Sequence, residues 1–348
     1  PRSTLFPYTT LFRSEYADRL VEYIEANPEF IMPESRRNEV LSFIRGGLRD
    51  NCVSRASVAW GVPVPNDPSQ VVYVWFDALI NYLSALGYPD GELCQQFWPA
   101  TVQLMAKDIL TRFHATLWPA MLMAADLPLP RTLFAHGFWT AEGEKMSKTK
   151  GNFVSPIDVA TELADATGAD RDITIDAIRY FVLREVTFGA DADFSKTQLE
   201  ARYNAELCND LGNLLNRTVS MTTKFLGGKL PGPEAVDAEI QAELAPLLEA
   251  VDQAYEKVDF NGALEAIMGF TGRLNKYIDT QEPWRLNRES RQIELERALG
   301  TTLRATAIAA ALIYPFMPVA SQEILRQLDC VTPIRELSFE QLGQLATA

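Results

Sequence analysis

Long apolar runs are missing from this sequence. No stretch of about eighteen consecutive apolar residues occurs among its 348 residues, so we predict no membrane-spanning helix and no membrane partner. The most apolar stretch, Ala305 to Pro318, is short and is interrupted by proline. With 47% hydrophobic and 22% charged residues, the composition is ordinary for a globular protein, and the length allows two or more domains with separate cores.

Cysteine and histidine are both scarce, which limits metal chemistry. The chain has no Cys-x-x-Cys pair, so we expect no zinc site and no other metal site in it. Its cysteines are widely separated in the sequence, at Cys52, Cys94, Cys208 and Cys330. Such scattered cysteines are typical of reduced thiols, which favours a cytoplasmic protein. The two histidines, His114 and His136, are too few for a His-rich metal cluster.

An excess of basic charge is also absent, since the formal net charge is -14. A protein that binds nucleic acid through its overall electrostatic field should be basic. Any nucleic-acid partner of this chain must therefore be bound by local basic patches and by shape.

The sequence does contain a short polar segment with two lysines, Lys145 and Lys148. The segment follows an apolar run, Thr132 to His136, that we interpret as a buried strand, and Gly143 and Gly151 bound it. A mobile loop with two ammonium groups can close over a polyphosphate and neutralise the charge that develops as a phosphate bond breaks. Two lysines in a loop are more often a solvated surface, so this interpretation depends on the surrounding sequence.

Three apolar runs predict the strands of a parallel sheet. They are Val71 to Phe76, Thr101 to Met105 and Thr132 to His136, and the stretches between them, including Lys107 to Ala125, have helical spacing. This alternation predicts a right-handed α/β domain, in which the first run is a strand buried on both faces. Ligands of such sheets bind at the carboxyl ends of the strands. We therefore expect one crevice bordered by Trp75, Asp77, Lys107, Asp108, His136 and Gly137.

No strand is predicted from Ser195 onward, where the pattern becomes that of an all-helical bundle. The predicted helical segments are Thr197 to Phe225, Pro246 to Val258, Asn261 to Ile278, Gln292 to Ile313 and Pro318 to Leu328. Residues 1–14, PRSTLFPYTTLFRS, have neither helical spacing nor the features of a signal peptide. We expect them to be extraneous or disordered.

The segment KMSKTKGN resembles the KMSKS loop of class I aminoacyl-tRNA synthetases, and other blocks resemble the methionyl-tRNA synthetase family. These blocks are VVYVWFDALINYLSALGYP, KDILTRFHATLWPAMLMAADLPLP, FAHGFWTAEGEKMSK and LCNDLGNLLNR. The resemblance runs from about Tyr16 to the C-terminus, and several blocks in the same order make it specific. It implies α/β plus all-α architecture: the second half of a Rossmann-like catalytic domain and a helical anticodon-binding bundle. It also implies a methionine–tRNA ligase.

The resemblance assigns roles to individual residues. ATP, with the Mg²⁺ that accompanies it, would be bound by Asp108, His136, Gly137, Lys145, Met146, Ser147 and Lys148. Lys145 and Lys148 would be catalytic, because they would hold the departing pyrophosphate. The methionine pocket would be lined by Trp75, Ala78, Leu79, Tyr82, Ile109 and His114. The CAU anticodon of methionine tRNA, initiator and elongator, would be read by Asn213, Arg217 and Trp284.

Each of these residues also has a structural interpretation. Asp77 and Asp108 suit helix N-caps, while Trp75 and His114 suit core positions. Asn213 and Arg217 are four apart and would share one helix face.

Several features depart from the family pattern. Thr149 occupies the fifth loop position, where serine is usual, and Leu79 stands where some relatives have proline. One residue more than in some relatives lies between Lys107 and His114, which leaves the register of Ile109 open. The His-Ile-Gly-His signature is missing. We therefore expect a C-terminal piece of a longer enzyme, inactive when alone.

The predicted domains follow from these assignments. Residues 15–69 would be the tail of a connective insertion with a linker, 70–194 the second half of the catalytic domain, and 195–348 the anticodon-binding domain. Two other functions stay open. One is a non-catalytic tRNA-binding module, because the bundle looks complete while the signature is missing. The other is a class I synthetase for another large apolar amino acid, against which the block from Trp75 to Tyr82 argues.

Overall fold

The computed structural model describes residues 10–11, 13–58, 60–65, 67–141, 143–146, 149, 151–232 and 236–330. The chain divides into two units, Pro1–Phe138 and Trp139–Ala348. Each unit has its own buried apolar clusters. No described helix is both long and apolar enough to cross a membrane.

The first unit is built around a three-stranded parallel sheet. The strands of the whole unit are β1 Thr10–Leu11, β2 Ile31–Met32, β3 Asn51–Cys52, β4 Ser54–Arg55, β5 Pro63–Val64, β6 Asp67–Val72, β7 Val102–Ala106 and β8 Thr132–His136. Its helices are α1 Ala17–Ala26, α2 Glu34–Arg45, α3 Val74–Ser84, α4 Glu92–Phe97, α5 Lys107–Ile109 and α6 Leu117–Ala124. The sheet has the order β2-β8-β7 and all its pairs are parallel. β8 lies in the centre and is buried, as its apolar run predicted.

The run Val71 to Phe76 is not a parallel strand, contrary to the prediction. β6, Asp67–Val72, pairs antiparallel with β4 and β5, and helix α3 already begins at Val74. Apolar content alone does not distinguish a short buried strand from a buried helical turn. Trp75 therefore lies in the first turn of a helix, and Asp77 follows inside that helix rather than at its N-cap.

The helix predicted from Lys107 to Ala125 is divided by a π-helix, Leu110–His114, between α5 and α6. There the N–H of Ala115 donates to the carbonyl oxygen of Leu110 at 2.8 Å, one residue further than in an α-helix. This wider turn accommodates one additional residue. It also brings Nδ1 of His114 to 3.1 Å from the carbonyl oxygen of Ile109.

Arg13 and Ser14, at the end of the segment expected to be extraneous, pack within the first unit. Arg13 is 6% exposed, and its guanidinium donates to the carbonyl oxygen of Arg49 at 2.9 Å. The hydroxyl of Ser14 donates to the carboxylate of Asp50 at 2.7 Å. These two residues are therefore ordered by contacts with the chain that follows them.

The second unit begins with a small sheet and continues as helices. Its strands are β9 Trp139–Ala141, β10 Glu144–Lys145 and β11 Ala192–Phe194, in the order β10-β9-β11. Its helices are α7 Pro156–Thr167, α8 Arg171–Arg184, α9 Lys196–Arg202, α10 Asn213–Leu226, α11 Ala238–Glu256, α12 Phe260–Gln281, α13 Pro283–Arg288, α14 Gln292–Ile313 and α15 Pro318–Gln327, with a π-helix at Tyr203–Gly212. After Ser195 the described residues contain no strand, as predicted.

Helix α11 begins at Ala238, well before its predicted start at Pro246. The carboxylate of Asp237 caps the helix by accepting the N–H of Glu239 at 2.9 Å, and Ile240 is buried in the first turn. Capping and burial offset the helical hydrogen bond that Pro246 cannot donate. The prediction failed because it treated proline as a helix start.

A buried carboxylate joins α8 to the last described helix. Asp176 is 1% exposed, and its Oδ2 accepts the N–H groups of Val319 and Ala320 at 2.7 and 2.8 Å. These N–H groups lie in the first turn of α15 and have no partner within that helix. Arg179 donates to the carbonyl oxygen of Phe316 at 2.9 Å. Together these contacts fix α8 to the turn between α14 and α15.

Candidate active site and anticodon-binding surface

Four residues predicted for the methionine pocket lie on one face of α3. Trp75, Ala78, Leu79 and Tyr82 have the i, i+3, i+4, i+7 spacing of a helix face. Leu79 is 1% exposed and belongs to the core, whereas Trp75 and Tyr82 are half-buried and Ala78 is exposed. The helix therefore holds two aromatic rings at the border between core and surface.

The π-helix brings two more rings against α3. Trp75 and Phe113 stack with their centroids 4.0 Å apart and their planes 12° apart. His114 meets Trp75 edge-on at 6.0 Å and Tyr82 at 5.7 Å. We call Trp75, Tyr82, Phe113 and His114 the aromatic cluster. Ile109 joins it through its carbonyl oxygen, which lies 3.1 Å from Nδ1 of His114.

Hydrogen bonds fix which nitrogen of His114 carries the proton, and burial keeps the ring uncharged. The carbonyl oxygen of Ile109 can only accept, so Nδ1 of His114 carries the proton. In the neutral ring, Nε2 then accepts the hydroxyl proton of Tyr82 across 2.9 Å. Burial lowers the pKa of His114, and the hydrogen bond to Ile109 opposes this only in part. The ring is consequently neutral at pH 7 and orients the Tyr82 hydroxyl.

A His114→Gln variant is expected to lose stability less steeply in acid than the unaltered chain. Because burial lowers the folded-state pKa of His114, its contribution is complete above the unfolded pKa of 6.5 and is lost as the pH falls toward the lowered value. Urea unfolding between about pH 8 and pH 5 measures the free energy of both proteins. Parallel pH profiles would contradict the assignment of a neutral, buried imidazole.

Trp118 supports the aromatic cluster from the core. It is 1% exposed, and its indole N–H donates to the side-chain oxygen of Gln103 on β7 at 3.2 Å. Its ring lies 5.8 Å from Tyr82 and 5.9 Å from Trp98. The indole thus connects the parallel sheet with the face of α3 that holds the cluster.

Asp108, His136 and Gly137 lie at the carboxyl edge of the parallel sheet, where the strand order predicted them. β7 and β8 run side by side up to the pair Ala106 and His136. Asp108, just after β7, and Gly137, just after β8, therefore lie at the same edge. Nδ1 of His136 donates to the carbonyl oxygen of Gly137 at 2.8 Å. The Asp108 side chain is exposed and available to a ligand.

Asp77 lies within α3 and not at the end of a strand of the parallel sheet, where the sequence placed it. It lines a cavity of about 780 Å³ together with residues of the antiparallel strands, including Arg55 and Tyr73. The Arg55 guanidinium lies 3.8 Å from the centre of the Tyr73 ring. The misplacement follows from the strand assignment, because α3 does not follow a strand of the parallel sheet.

Lys145 lies in β10 of the second unit, where it is exposed. Met146 follows it and is half-buried. Ser147 and Lys148, which the sequence also assigned to ATP binding, lie outside the described residues. Gly143 forms the turn before β10 with φ 75°, a conformation that favours glycine.

Arg217 and Trp284 are brought together in the helical bundle. The guanidinium carbon of Arg217 lies 6.0 Å from the centre of the Trp284 ring, and Trp284 is 39% exposed. Asn213, one turn before Arg217 on α10, is exposed. Groups that can bond base edges and a ring that can stack on a base therefore occupy neighbouring positions.

Two contacts at these sites were missed from the sequence. Phe113 was not assigned to the methionine pocket, because its direction depends on the π-helix register. Asp279 on α12 accepts a hydrogen bond from Arg217 at 2.5 Å, and nothing in the local pattern indicates this partner. Any ligand that binds Arg217 would share the guanidinium with that carboxylate.

Basic residues near the bundle surface are partly neutralised by neighbouring acids. Arg202 donates to Glu206 and Glu185 at 2.8 Å, and Arg285 donates to Glu289 at 2.8 Å. Their charge therefore adds less to a positive surface than the sequence suggests. Within the described part of the chain, no three His, Cys, Asp or Glu side chains are arranged to hold a metal ion.

Two segments of the chain match known protein families, and most of the chain is similar to curated relatives. Residues 8–219 match the family of class I tRNA synthetases (M), and residues 237–343 match the anticodon-binding domain of tRNA ligases. The methionine–tRNA ligase of Rickettsia bellii is 44% identical over 331 residues, which are 92% of this chain and 62% of the relative. That of Caldanaerobacter subterraneus is 46% identical over 338 residues, 95% of this chain and 51% of the relative.

Solved structures of a methionyl-tRNA synthetase are also similar to this chain. The Mycobacterium tuberculosis methionyl-tRNA synthetase bound by methionyl-adenylate matches with a TM-score of 0.85 and 42% identity, over 96% of this chain and 65% of that one. Its apo form matches with a TM-score of 0.82 and 41% identity, over 95% and 64%. The chain thus spans roughly half to two thirds of the length of these relatives. Its α/β unit, its helical bundle and the match over residues 8–219 show that the chain belongs to the class I tRNA synthetase (M) family.

Proposed function

We propose that this chain is part of a methionine–tRNA ligase, an enzyme that uses ATP to form methionyl-adenylate and then transfers methionine to its tRNA. The aromatic cluster is the observation that carries the proposal. A thioether is flexible and polarizable, and its sulfur makes favourable contacts with aromatic ring edges. The half-buried rings of Trp75 and Tyr82 offer such contacts, while the neutral His114 adds no charge to an apolar slot.

The Tyr82 hydroxyl gives this slot a directional group. It donates to Nε2 of His114, so its oxygen lone pairs remain able to accept, and the hydroxyl is held in one orientation. An aliphatic side chain of leucine or isoleucine gains less from the ring edges than a thioether does. The cluster therefore favours methionine over other large apolar amino acids.

The carboxyl edge of the parallel sheet would border ATP. The exposed Asp108 and the Gly137 backbone would contact the nucleotide, and the hydrogen bond of His136 to Gly137 supports a fixed orientation of this ring. Mg²⁺ would arrive with ATP and bind mainly to phosphate oxygens. When bound, it would neutralise phosphate charge.

No covalent enzyme nucleophile is needed in this reaction. The chain's residues would hold the methionine carboxylate against the α-phosphate and stabilise charge in the transition state. Lys145 and Lys148 would bind the departing pyrophosphate as the loop closes. These substrates, ATP and tRNA, accord with a cytoplasmic location.

The helical bundle would recognise the CAU anticodon shared by initiator and elongator methionine tRNA. Asn213 and Arg217 would bond base edges, and Trp284 would stack on an unpaired base. Asp279 would keep the guanidinium of Arg217 oriented before the tRNA binds.

A Trp284→Ala variant is expected to bind methionine tRNA about ten- to a hundredfold more weakly, because base–aromatic stacking contributes about 1–3 kcal/mol per base. Trp284 is 39% exposed, so the fold should tolerate the change. Gel-shift titration with methionine tRNA measures the effect. Trp60→Ala, which removes a tryptophan that is 90% exposed, is the matched control.

The same titration tests whether the chain reads the anticodon, which both the ligase and a non-catalytic tRNA-binding module would do. A tRNA with an altered anticodon should bind as weakly to the unaltered chain as methionine tRNA binds to Trp284→Ala. Equal binding of both tRNAs would contradict anticodon reading. A non-catalytic tRNA-binding module would share this specificity but would never support methionine activation.

Methionine-dependent exchange of pyrophosphate into ATP tests the ligase itself. The chain alone should show none, because its sequence has no His-Ile-Gly-His signature. A chimera that adds the part of the Mycobacterium tuberculosis relative not covered by this chain should be active. Activity of the isolated chain would contradict the expected dependence on that part, and a folded but inactive chimera would favour the non-catalytic module.

A further inference from the structure

Strands β9 and β10 form a hairpin that carries Lys145. A carboxylate on the neighbouring strand β11 anchors this hairpin. In the register of the sheet, Lys145 on β10 lies opposite Thr140 on β9, and Thr140 lies beside Asp193 on β11. Directly paired residues point to the same face of a sheet. The side chains of Lys145, Thr140 and Asp193 therefore form one row across the three strands.

Two hydrogen bonds hold the hairpin to Asp193. Its Oδ1 accepts the hydroxyl of Thr140 at 2.6 Å and the backbone N–H of Gly143 at 2.9 Å. The first donor lies in β9 and the second in the turn that leads into β10. These hydrogen bonds hold the pKa of Asp193 below its ordinary value, so the group is a carboxylate at neutral pH.

This anchor matters because β10 is only two residues long. A strand this short specifies its own register weakly, and a slip of one residue would turn every side chain to the opposite face. Lys145 would then point away from the row. On the other side of the loop, the side-chain amide of Asn152 donates to the carbonyl oxygen of Lys145 at 3.2 Å, which fixes the backbone of this residue a second time.

We infer that Asp193 is a positioning residue that sets the face on which Lys145 is presented to the phosphates of its substrate. The inference rests on the proposed function, in which Lys145 binds pyrophosphate. Asp193 itself does not contact the substrate. It acts through Thr140 and Gly143, and thereby through the register of the hairpin.

Amide hydrogen exchange of the full chain tests the anchor without any substrate. In Asp193→Ala, the Gly143 amide should exchange about tenfold faster, which is the effect of losing one hydrogen bond to a charged acceptor. Asp193→Asn keeps an oxygen acceptor and should change the rate much less. Asp165→Asn, at an exposed position on α7, is the control. An unchanged Gly143 rate in Asp193→Ala would overturn the inference.

Binding of magnesium pyrophosphate to the same proteins tests the consequence for Lys145. Lys145→Met and Asp193→Ala should each weaken binding about tenfold, and the double variant should be no weaker than Lys145→Met alone. If Asp193 only stabilised the fold, the double variant would instead lose as much pyrophosphate affinity as the two single variants together. Absence of pyrophosphate binding by the unaltered chain would overturn the proposed role of the loop. The amide exchange rate of Gly143 tests the anchor independently of that role.

Discussion

Replacement of Lys148 by alanine should slow methionine-dependent ATP–pyrophosphate exchange by the chimera about a hundred- to a thousandfold. Removal of one donor that stabilises transition-state charge costs about 3–4 kcal/mol in comparable sites. The reason is that the ammonium group would hold the diphosphate only while the bond to the α-phosphate breaks. Steady-state exchange rates at saturating methionine and ATP measure the loss.

A matched control lies in the same loop. Lys150→Ala removes an ammonium group two residues further along and should leave the rate within about threefold of the unaltered chimera. An unchanged rate in Lys148→Ala, or equal losses in both variants, would remove the assigned role from Lys148. Lys148→Arg should recover little, because a guanidinium does not replace a compact point charge.

Trp118→Ala is expected to destabilise the first unit by about 3–5 kcal/mol, the usual cost of deleting a large buried aromatic side chain. The change leaves a cavity beneath Tyr82 and leaves the side-chain oxygen of Gln103 without its donor. Urea unfolding followed by tryptophan fluorescence measures the loss.

Trp118→Phe separates packing from hydrogen bonding. It keeps most of the ring contact with Tyr82 but loses the N–H donor, so about 1–2 kcal/mol should be lost. A loss below about 1 kcal/mol for Trp118→Ala would show that the indole does not support the core in this way.

Elements whose ends are marked locally were predictable from the sequence. Helix α7 has both ends marked in the sequence, by Ser155, which caps it before Pro156, and by Gly168, which adopts φ 72° after it. Strand β8 also has its predicted bounds, since an apolar run of five residues in a central strand is buried on both faces. Local signals were sufficient in both cases.

Elements that depend on distant contacts were not predictable. The run Val71 to Phe76 changes from strand to helix within itself, because the antiparallel pairing of β6 ends at Val72. β2 has only two residues and was missed, although it is an outer strand of the parallel sheet. The π-helix that orients His114 was not predicted, because Lys107 to Ala125 has the spacing of one continuous helix.

The candidate site shows the same division. The bounds of the second and third apolar runs predicted that Asp108 and Gly137 would lie at one sheet edge. The helix face shared by Trp75 and Tyr82 was not predicted, because Trp75 was assigned to a strand. Phe113 and Asp193 were missed, because each reaches its partner through register that only the folded chain defines. The assignments of Ser147 and Lys148, like the domain boundaries drawn from the sequence, stay predictions.

The most direct measurement is calorimetric titration of the chain with methionine and with leucine. If Trp75, Tyr82 and the neutral His114 form a thioether slot, methionine should bind at least about tenfold more tightly than leucine, and Trp75→Ala should remove the difference. Tighter binding of leucine, or a methionine affinity that does not depend on Trp75, would contradict the account.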